Sequence, residues 1–315
     1  MYFPYLRGKQ NELILLRDNA ALIGQSPITP IIEPVKSNIK PLLKCIDSLV
    51  DVNAEFILVV NSICGELAGN NTLIRDEVIK DELLQYKGLT LGYILDEEAS
   101  LEELLRFAQE YSELNIALIH FGYLNGAELS KAVAGFDNIK AHIFIEKHAQ
   151  RRYRSRFKSG AKKVLVRDGF IKRSNREYPT SEPFSELHIM YKDEGVEGFG
   201  DFLITGEGFS DSGGPAYAVA IHLTYLDNEM EDDMYVNHYV SDRNSTPADP
   251  GGKFLEALEK LTTDLDDGSK IYQSKATAEF KKLHTNEHFP GLGVVKKLSM
   301  QHHVELIADY LVKGN

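Results

Sequence analysis

The sequence predicts an α/β fold, a (β/α)8 TIM-like barrel, and three observations lead there. Short apolar runs of strand length alternate with helix-period stretches over roughly the first two hundred residues. Eight such runs can be traced, enough to close a parallel sheet on itself. Each run also stops at a polar residue, as barrel strands do at the C-terminal mouth where this fold places its chemistry. Beyond the eighth strand the rhythm changes, which predicts an inserted antiparallel hairpin and extra C-terminal helices.

The elements follow in order. Tyr2–Leu6 is short and aromatic, a first strand followed at once by Arg7, Gly8 and Lys9. Leu13, Leu16, Ala20 and Ile23 recur at helical spacing over Gln10–Ile23. Ile28–Val35 is the second strand and brings Glu33 to its end; Pro41 then suits the first turn of a helix. Glu55–Val60 is a continuous apolar run of the kind buried on both faces, ending at Asn61. A helix over Leu73–Tyr86 precedes the fourth strand, Leu89–Asp96. Ser100 with Glu103, and Asn125 with Glu128, have the spacing of capping boxes. They flank the fifth strand, Asn115–His120, and Ala141–Glu146 is the sixth.

Lys147–Lys163 holds eight Lys and Arg residues and no carboxylate, and is read as the sixth helix. Tyr153 and Phe157 lie one turn apart within it, so an apolar stripe on the barrel with a solvated basic face is expected, ahead of a contact with RNA or an acidic partner. Val164–Arg167 is the seventh strand, and a loop with a short helix leads to the eighth, Phe199–Thr205. Tyr217–Tyr225 and Met234–Ser241 alternate as a hairpin across the acidic turn Asp227–Asp233. Gly251–Leu265 supplies the eighth helix. Ala276–His284 and Ser299–Leu311 follow, to close the bottom of the barrel or serve a dimer contact. The whole of 1–315 reads as one barrel domain, with 206–250 a Gly-rich loop and β-hairpin excursion.

Composition narrows the function. A net charge of −12 disfavours broad, sequence-independent binding of duplex DNA, so any nucleic-acid contact has to be local. Cys45 and Cys64 have no zinc or disulfide spacing, which points to a reducing cytoplasm. MYFPYLRGKQ lacks a secretory pattern, and no segment has the apolar length of a membrane span.

Three stretches carry a resemblance: MYFPYLRGKQNEL, FGDFLITGEGFSDSGGPAYAVAIHLTYLD and FPGLGVVKKLSMQHHVELIADYL. Together they resemble the bacterial "beta protein" family over nearly the whole chain. That resemblance implies no assigned activity and no catalytic residues; it implies an association with mobile elements and phage defence.

Two constellations at the strand ends bear on chemistry. Glu33, Asp96, Glu146 and Asp168, with Asn61 and His120 between them, would converge on one mouth. Oxygen ligands of this kind suit Mg²⁺ or Mn²⁺, with Glu33, Asp96 and Glu146 as the metal ligands; the alternative is ion pairs and caps at the loop starts, since barrels place polar residues here whether or not they bind metal. His120 and Asp168 are the candidate catalytic residues. The second constellation is basic: Arg7, Lys9, Arg167, Lys172, Arg173 and Arg176 as phosphate binders, with Gly206, Gly208, Gly213 and Gly214 after the eighth strand offering backbone amides. The expectation is a metal-assisted hydrolase or lyase acting on a phosphate-bearing substrate, a nucleotide or a nucleic-acid end. The alternative is a non-catalytic binding or scaffold component of a phage-defence or mobile-element system, which a mouth plugged by large side chains would favour. His222 and His238 are expected to face one another across the hairpin near Asp242. His302 and His303 are expected on a helix surface.

Overall fold

The computed structural model describes residues 1–70, 72–158, 160–211 and 213–314. They divide into two compact units, one of 1–168 with 190–201 and one of 169–189 with 202–315. Each is taken by itself.

The first unit is the predicted barrel. Its strands are β1 (Tyr5–Leu6), β2 (Ile31–Ile32), β3 (Phe56–Val59), β4 (Leu89–Leu95), β5 (Asn115–His120), β6 (Ile139–Ile145) and β7 (Lys162–Val166). A further strand, β8 (Ser181–Ser185), belongs to another sheet, and β9 (Gly198–Gly200) completes the barrel. All eight barrel strands pair in parallel and in sequence order. The ring closes between the ends of this order. Tyr2 bridges Phe199, the Tyr5 N–H donates to Asp201 O at 2.9 Å, and Tyr2 Oη donates to Asp201 Oδ1 at 2.7 Å. A side chain on Gly200 would put its Cβ 2.1 Å from Phe3 O, so closure here requires glycine.

Helices α1 (Gln10–Asp18), α2 (Ala20–Gln25), α3 (Lys40–Asp51), α4 (Thr72–Glu77), α5 (Leu101–Glu110), α6 (Gly126–Ala132) and α7 (Arg151–Arg154) alternate with these strands. Ser100 caps α5 by accepting the Glu103 N–H at 3.3 Å. Asn125 occupies the N-cap of α6 but its side chain makes no cap bond, unlike the box expected there. The predicted helix over Leu73–Tyr86 is broken. Its first part stops at Glu77, where the β-branched Val78 and Ile79 both turn into the core and both N–H groups donate to Ile74 O. The basic sixth helix shrinks to the single turn α7, because like charges such as Arg152 and Arg156 repel at i,i+4 with no carboxylate between them. The eighth strand ends at Gly200; Leu203 takes a left-handed φ of 50° and starts a 3₁₀ turn to Thr205.

The second unit contains β8, α8 (Leu187–Met190) in part, β10 (Ala220–Asp227), β11 (Asp233–Val240), α9 (Pro250–Asp266), α10 (Lys275–Thr285) and α11 (Leu292–Lys313). The expected hairpin is present, with β8 added to its β11 edge. Ser181–Ser185 escapes sequence reading because SEPFS is polar and holds a proline, both marks of an edge strand. The helix expected to complete the barrel shares a core with the hairpin: Ile221 and Leu223 of β10 lie in one buried cluster with Phe254, Leu258, Phe280 and Leu298. On α11, His302 and His303 are fully buried, contrary to the surface placement expected. Among the described residues, no helix is long and apolar enough to cross a membrane.

Candidate functional site

Glu33, at the end of β2, is the most enclosed polar residue of the mouth. Its carboxylate accepts from Tyr5 Oη at 2.8 Å and Arg7 Nη1 on one oxygen, and from Ser62 Oγ at 3.0 Å and the Ile63 N–H at 3.1 Å on the other. Four donors match the four lone-pair directions of a carboxylate, which is how a charge survives complete burial. As placed, Glu33 has none left for a cation. Arg7 lies over the Tyr5 ring at 5.1 Å and reaches the Phe121 ring at 5.9 Å. Since Phe121 follows β5, the strand opposite β1 in the ring, the guanidinium spans the mouth. Burial pulls its pKa down, but Glu33, Tyr5 and Cys64 together outweigh that and the net shift is upward. Gly8 (φ 58°) lets the chain turn here, where a Cβ would meet Glu33 O at 2.9 Å. Lys9 becomes the N-cap of α1.

The remaining strand-end groups behave similarly. Arg167 grips Glu146 with two bonds, Nε to Oε2 at 2.6 Å and Nη2 to Oε1 at 2.9 Å. Asp96 accepts the Glu98 N–H at 3.1 Å and so closes the turn after β4. Asn61 holds the β4 backbone in both directions at Ile94. Asp168 is exposed. Among the described residues, no three His, Cys, Asp or Glu side chains are grouped to hold a metal ion. The expected phosphate set is divided as well, with Arg7, Lys9 and Arg167 in the barrel unit and Lys172, Arg173 and Arg176 in the other. Lys172 and Arg176 are exposed, whereas Arg173 pairs with Glu182 at 2.6 Å. A Cβ at Gly208, Gly213 or Gly214 would touch nothing.

His120 does not face the lumen. His142 and Phe144 share one face of β6, and both pack on Phe157 of the segment after the strand, which marks it as the outer one. His120 of β5 joins that face: its Nε2 bonds His142 Nδ1 at 3.0 Å and its Nδ1 bonds Tyr153 Oη at 2.8 Å, between the rings of Phe144 and Phe157. Burial, then His142, push His120 well below its ordinary pKa; burial, then Lys163, lower His142 to about 4. Both rings are therefore neutral at physiological pH. Sequence reading missed His142 and Tyr153 as partners of His120, although the period-two pattern of β6 contains the signal. A Cβ at Gly126 would strike the Tyr153 ring at 2.5 Å, so that glycine admits the tyrosine.

The segment after β6 keeps its apolar stripe and its basic face, as expected. Tyr153 and Phe157 turn inward, and Arg154 is buried against Glu194 at 2.6 Å. Arg151, Arg152, Arg156 and Lys158 are exposed, and among the described residues no carboxylate pairs with them.

In the second unit, His222 and His238 are register partners whose Nδ1 atoms lie 2.7 Å apart. His238 Nε2 bonds Glu182 at 3.1 Å, a partner on a strand that sequence reading did not find. Asp242 instead pairs with Lys260 at 2.7 Å. His302 lies between Ser274 Oγ (2.9 Å) and Thr224 O (2.8 Å), and His303 bonds Thr224 Oγ1 at 2.9 Å.

No family model matches this chain. No curated protein matches it either.

Proposed function

We propose that this protein binds a phosphate-bearing polymer, a nucleic-acid strand or end, on the exposed basic edge between β6 and β7, with the barrel as its rigid support. The observation that carries the reading is a contrast of partners. The cations expected at the mouth, Arg7 and Arg167, are neutralised by Glu33 and Glu146, while Arg151, Arg152, Arg156 and Lys158 face solvent with no carboxylate partner among the described residues, in a chain of net charge −12. Phosphates need only such charges. A protein partner would want an apolar anchor at the centre of its contact, and Tyr153 and Phe157, the aromatic side chains of this basic edge, are turned inward. The association with mobile elements and phage defence implied by the family resemblance supports the same partner class.

The test is fluorescence anisotropy with a labelled single-stranded oligonucleotide as salt is varied. Four phosphate contacts predict a slope of about −3 in log affinity against log salt. Arg152→Glu with Arg156→Glu should abolish binding at moderate salt while the melting temperature holds. Binding that survives both reversals overturns the proposal.

The metal-assisted hydrolase expected at the mouth requires Glu33 and Glu146 to exchange arginine for a cation. Stabilisation of the wild type by Mg²⁺ or Mn²⁺ that is lost in Glu146→Ala would restore that reading over a purely binding role.

A further inference from the structure

The second unit carries an ordered chain of proton carriers with an open end. Glu182 accepts from Arg173 Nη1 at 2.6 Å and from His238 Nε2 at 3.1 Å. A carboxylate with a guanidinium counter-ion accepts and does not donate, so the proton of that second bond resides on His238 Nε2. In neutral imidazole the other nitrogen is then bare. His238 Nδ1 therefore accepts, and His222 Nδ1–H is the donor across the 2.7 Å contact. The same rule leaves a lone pair on His222 Nε2, and among the described residues no protein group hydrogen-bonds that atom. His222 is partly exposed. One carboxylate thus fixes the tautomer of two rings.

We propose that His222 Nε2 is a general base that activates water for hydrolysis of a small, uncharged acyl ester, with His238 and Glu182 as positioning residues. The surroundings favour an apolar ligand: the rings of Phe170 and Tyr178 stand edge-to-face with His222, their centroids 5.1 and 4.7 Å from its own, and Ile171 and Tyr217 expose about half of their surface on the adjoining segments. In the step, water transfers a proton to His222 Nε2 as its oxygen bonds to the ester carbonyl carbon. The tetrahedral adduct then expels the alcohol by breaking the acyl C–O bond, and the imidazolium returns the proton to the leaving oxygen. The transient positive charge on His222 is shared through Nδ1–H with His238, whose own proton leans on Glu182.

The groups facing His222 are His238 on β11, Tyr178 and Phe170 on the segment before β8, and Lys296 on α11. Burial, then His238, then Lys296 push its pKa well below the ordinary histidine range, so the bare form persists into acid. Any ester hydrolysis should accordingly hold its rate below about pH 6.5, where an exposed imidazole loses it.

Two measurements on the full chain decide the matter. Nitrogen NMR of ¹⁵N-histidine protein should show His222 protonated at Nδ1 and His238 at Nε2; the opposite tautomer at His222 overturns the proposal. Hydrolysis of p-nitrophenyl acetate should fall about a hundredfold in His222→Ala or, if that variant melts early, in His222→Gln. Glu182→Gln should lower the rate less and populate both tautomers of His238. His288→Ala, which removes an exposed imidazole, should leave the rate unchanged. Equal rates in wild type and the folded His222 variant overturn the assignment.

Discussion

The molecule contains two histidine pairs with nearly the same spacing and opposite chemical character. In the barrel unit, His120 and His142 are 3.0 Å apart and end on a tyrosine hydroxyl, which can donate or accept, so nothing fixes where the protons lie. In the second unit, His222 and His238 are 2.7 Å apart and end on Glu182, which can only accept. The first pair sits among Phe144, Phe157 and Tyr153 and fills space between sheet and helix layer. The second is directional. Proximity of two imidazoles is thus uninformative about chemistry until the terminal partner is known.

The largest expected effect of a single substitution on this contrast is loss of the terminal carboxylate. Glu182→Ala strips Arg173 and His238 of a shared partner and should cost about 3 kcal/mol in chemical denaturation. The figure sits at the low end for a broken pair because Arg173 keeps 25% of its side chain in water. A cost below about 1 kcal/mol would mean that the second pair is no more organised than the first.

Acid comes next. His142 and His302 each have a folded pKa of about 4 against roughly 6.5 in the unfolded chain. The unfolded chain takes up these protons first, so stability is intact above about pH 6.5 and declines as pH falls toward 4. Each histidine contributes up to about 3 kcal/mol to that decline. Urea midpoints measured across this window should fall steadily. His302→Gln, which can still bond Ser274 and Thr224 O, should flatten the slope, and an unchanged slope would place the titration elsewhere.

Tyr153→Phe removes only the hydroxyl from His120 Nδ1 and should cost about 1 kcal/mol. A loss as large as that of Glu182→Ala would erase the distinction between the pairs. Smallest of all, Arg152→Ala should move stability by less than about 0.5 kcal/mol, because its side chain is exposed and, among the described residues, has no charged partner. Under the proposed strand binding, its larger effect is on affinity.

The barrel was legible because its strands are local apolar runs: Asn115–His120 has the same limits in the sequence reading and in the structure, and Glu33, Asn61 and His120 stand at strand ends as expected. What the strand ends do was not legible. Whether Arg7 and Glu33 bind ligands or one another depends on the pairing of β1 with β2, which sets positions 7 and 33 side by side and which no local pattern encodes. His302 and His303 were misplaced for a related reason. Their helix buries residues on every side, so its periodicity gives no outer face, and Ser274 and Thr224 accommodate the polar nitrogens from distant segments. Ser181–Ser185 went unseen because an edge strand with proline has neither alternation nor apolarity to betray it.

The bond between Tyr2 and Asp201 spans 199 positions of the sequence. On a ribosome that adds about 5–20 residues per second, the first strand waits roughly 10–40 s before its closing neighbour exists. Throughout that interval β1 and β7 each have an edge without a partner, an invitation to pair with another nascent chain. Closure of this ring is therefore a late event in synthesis. Slowing translation once the strand that ends at Gly200 has emerged, or shielding the growing sheet with a chaperone, should raise the yield of folded protein.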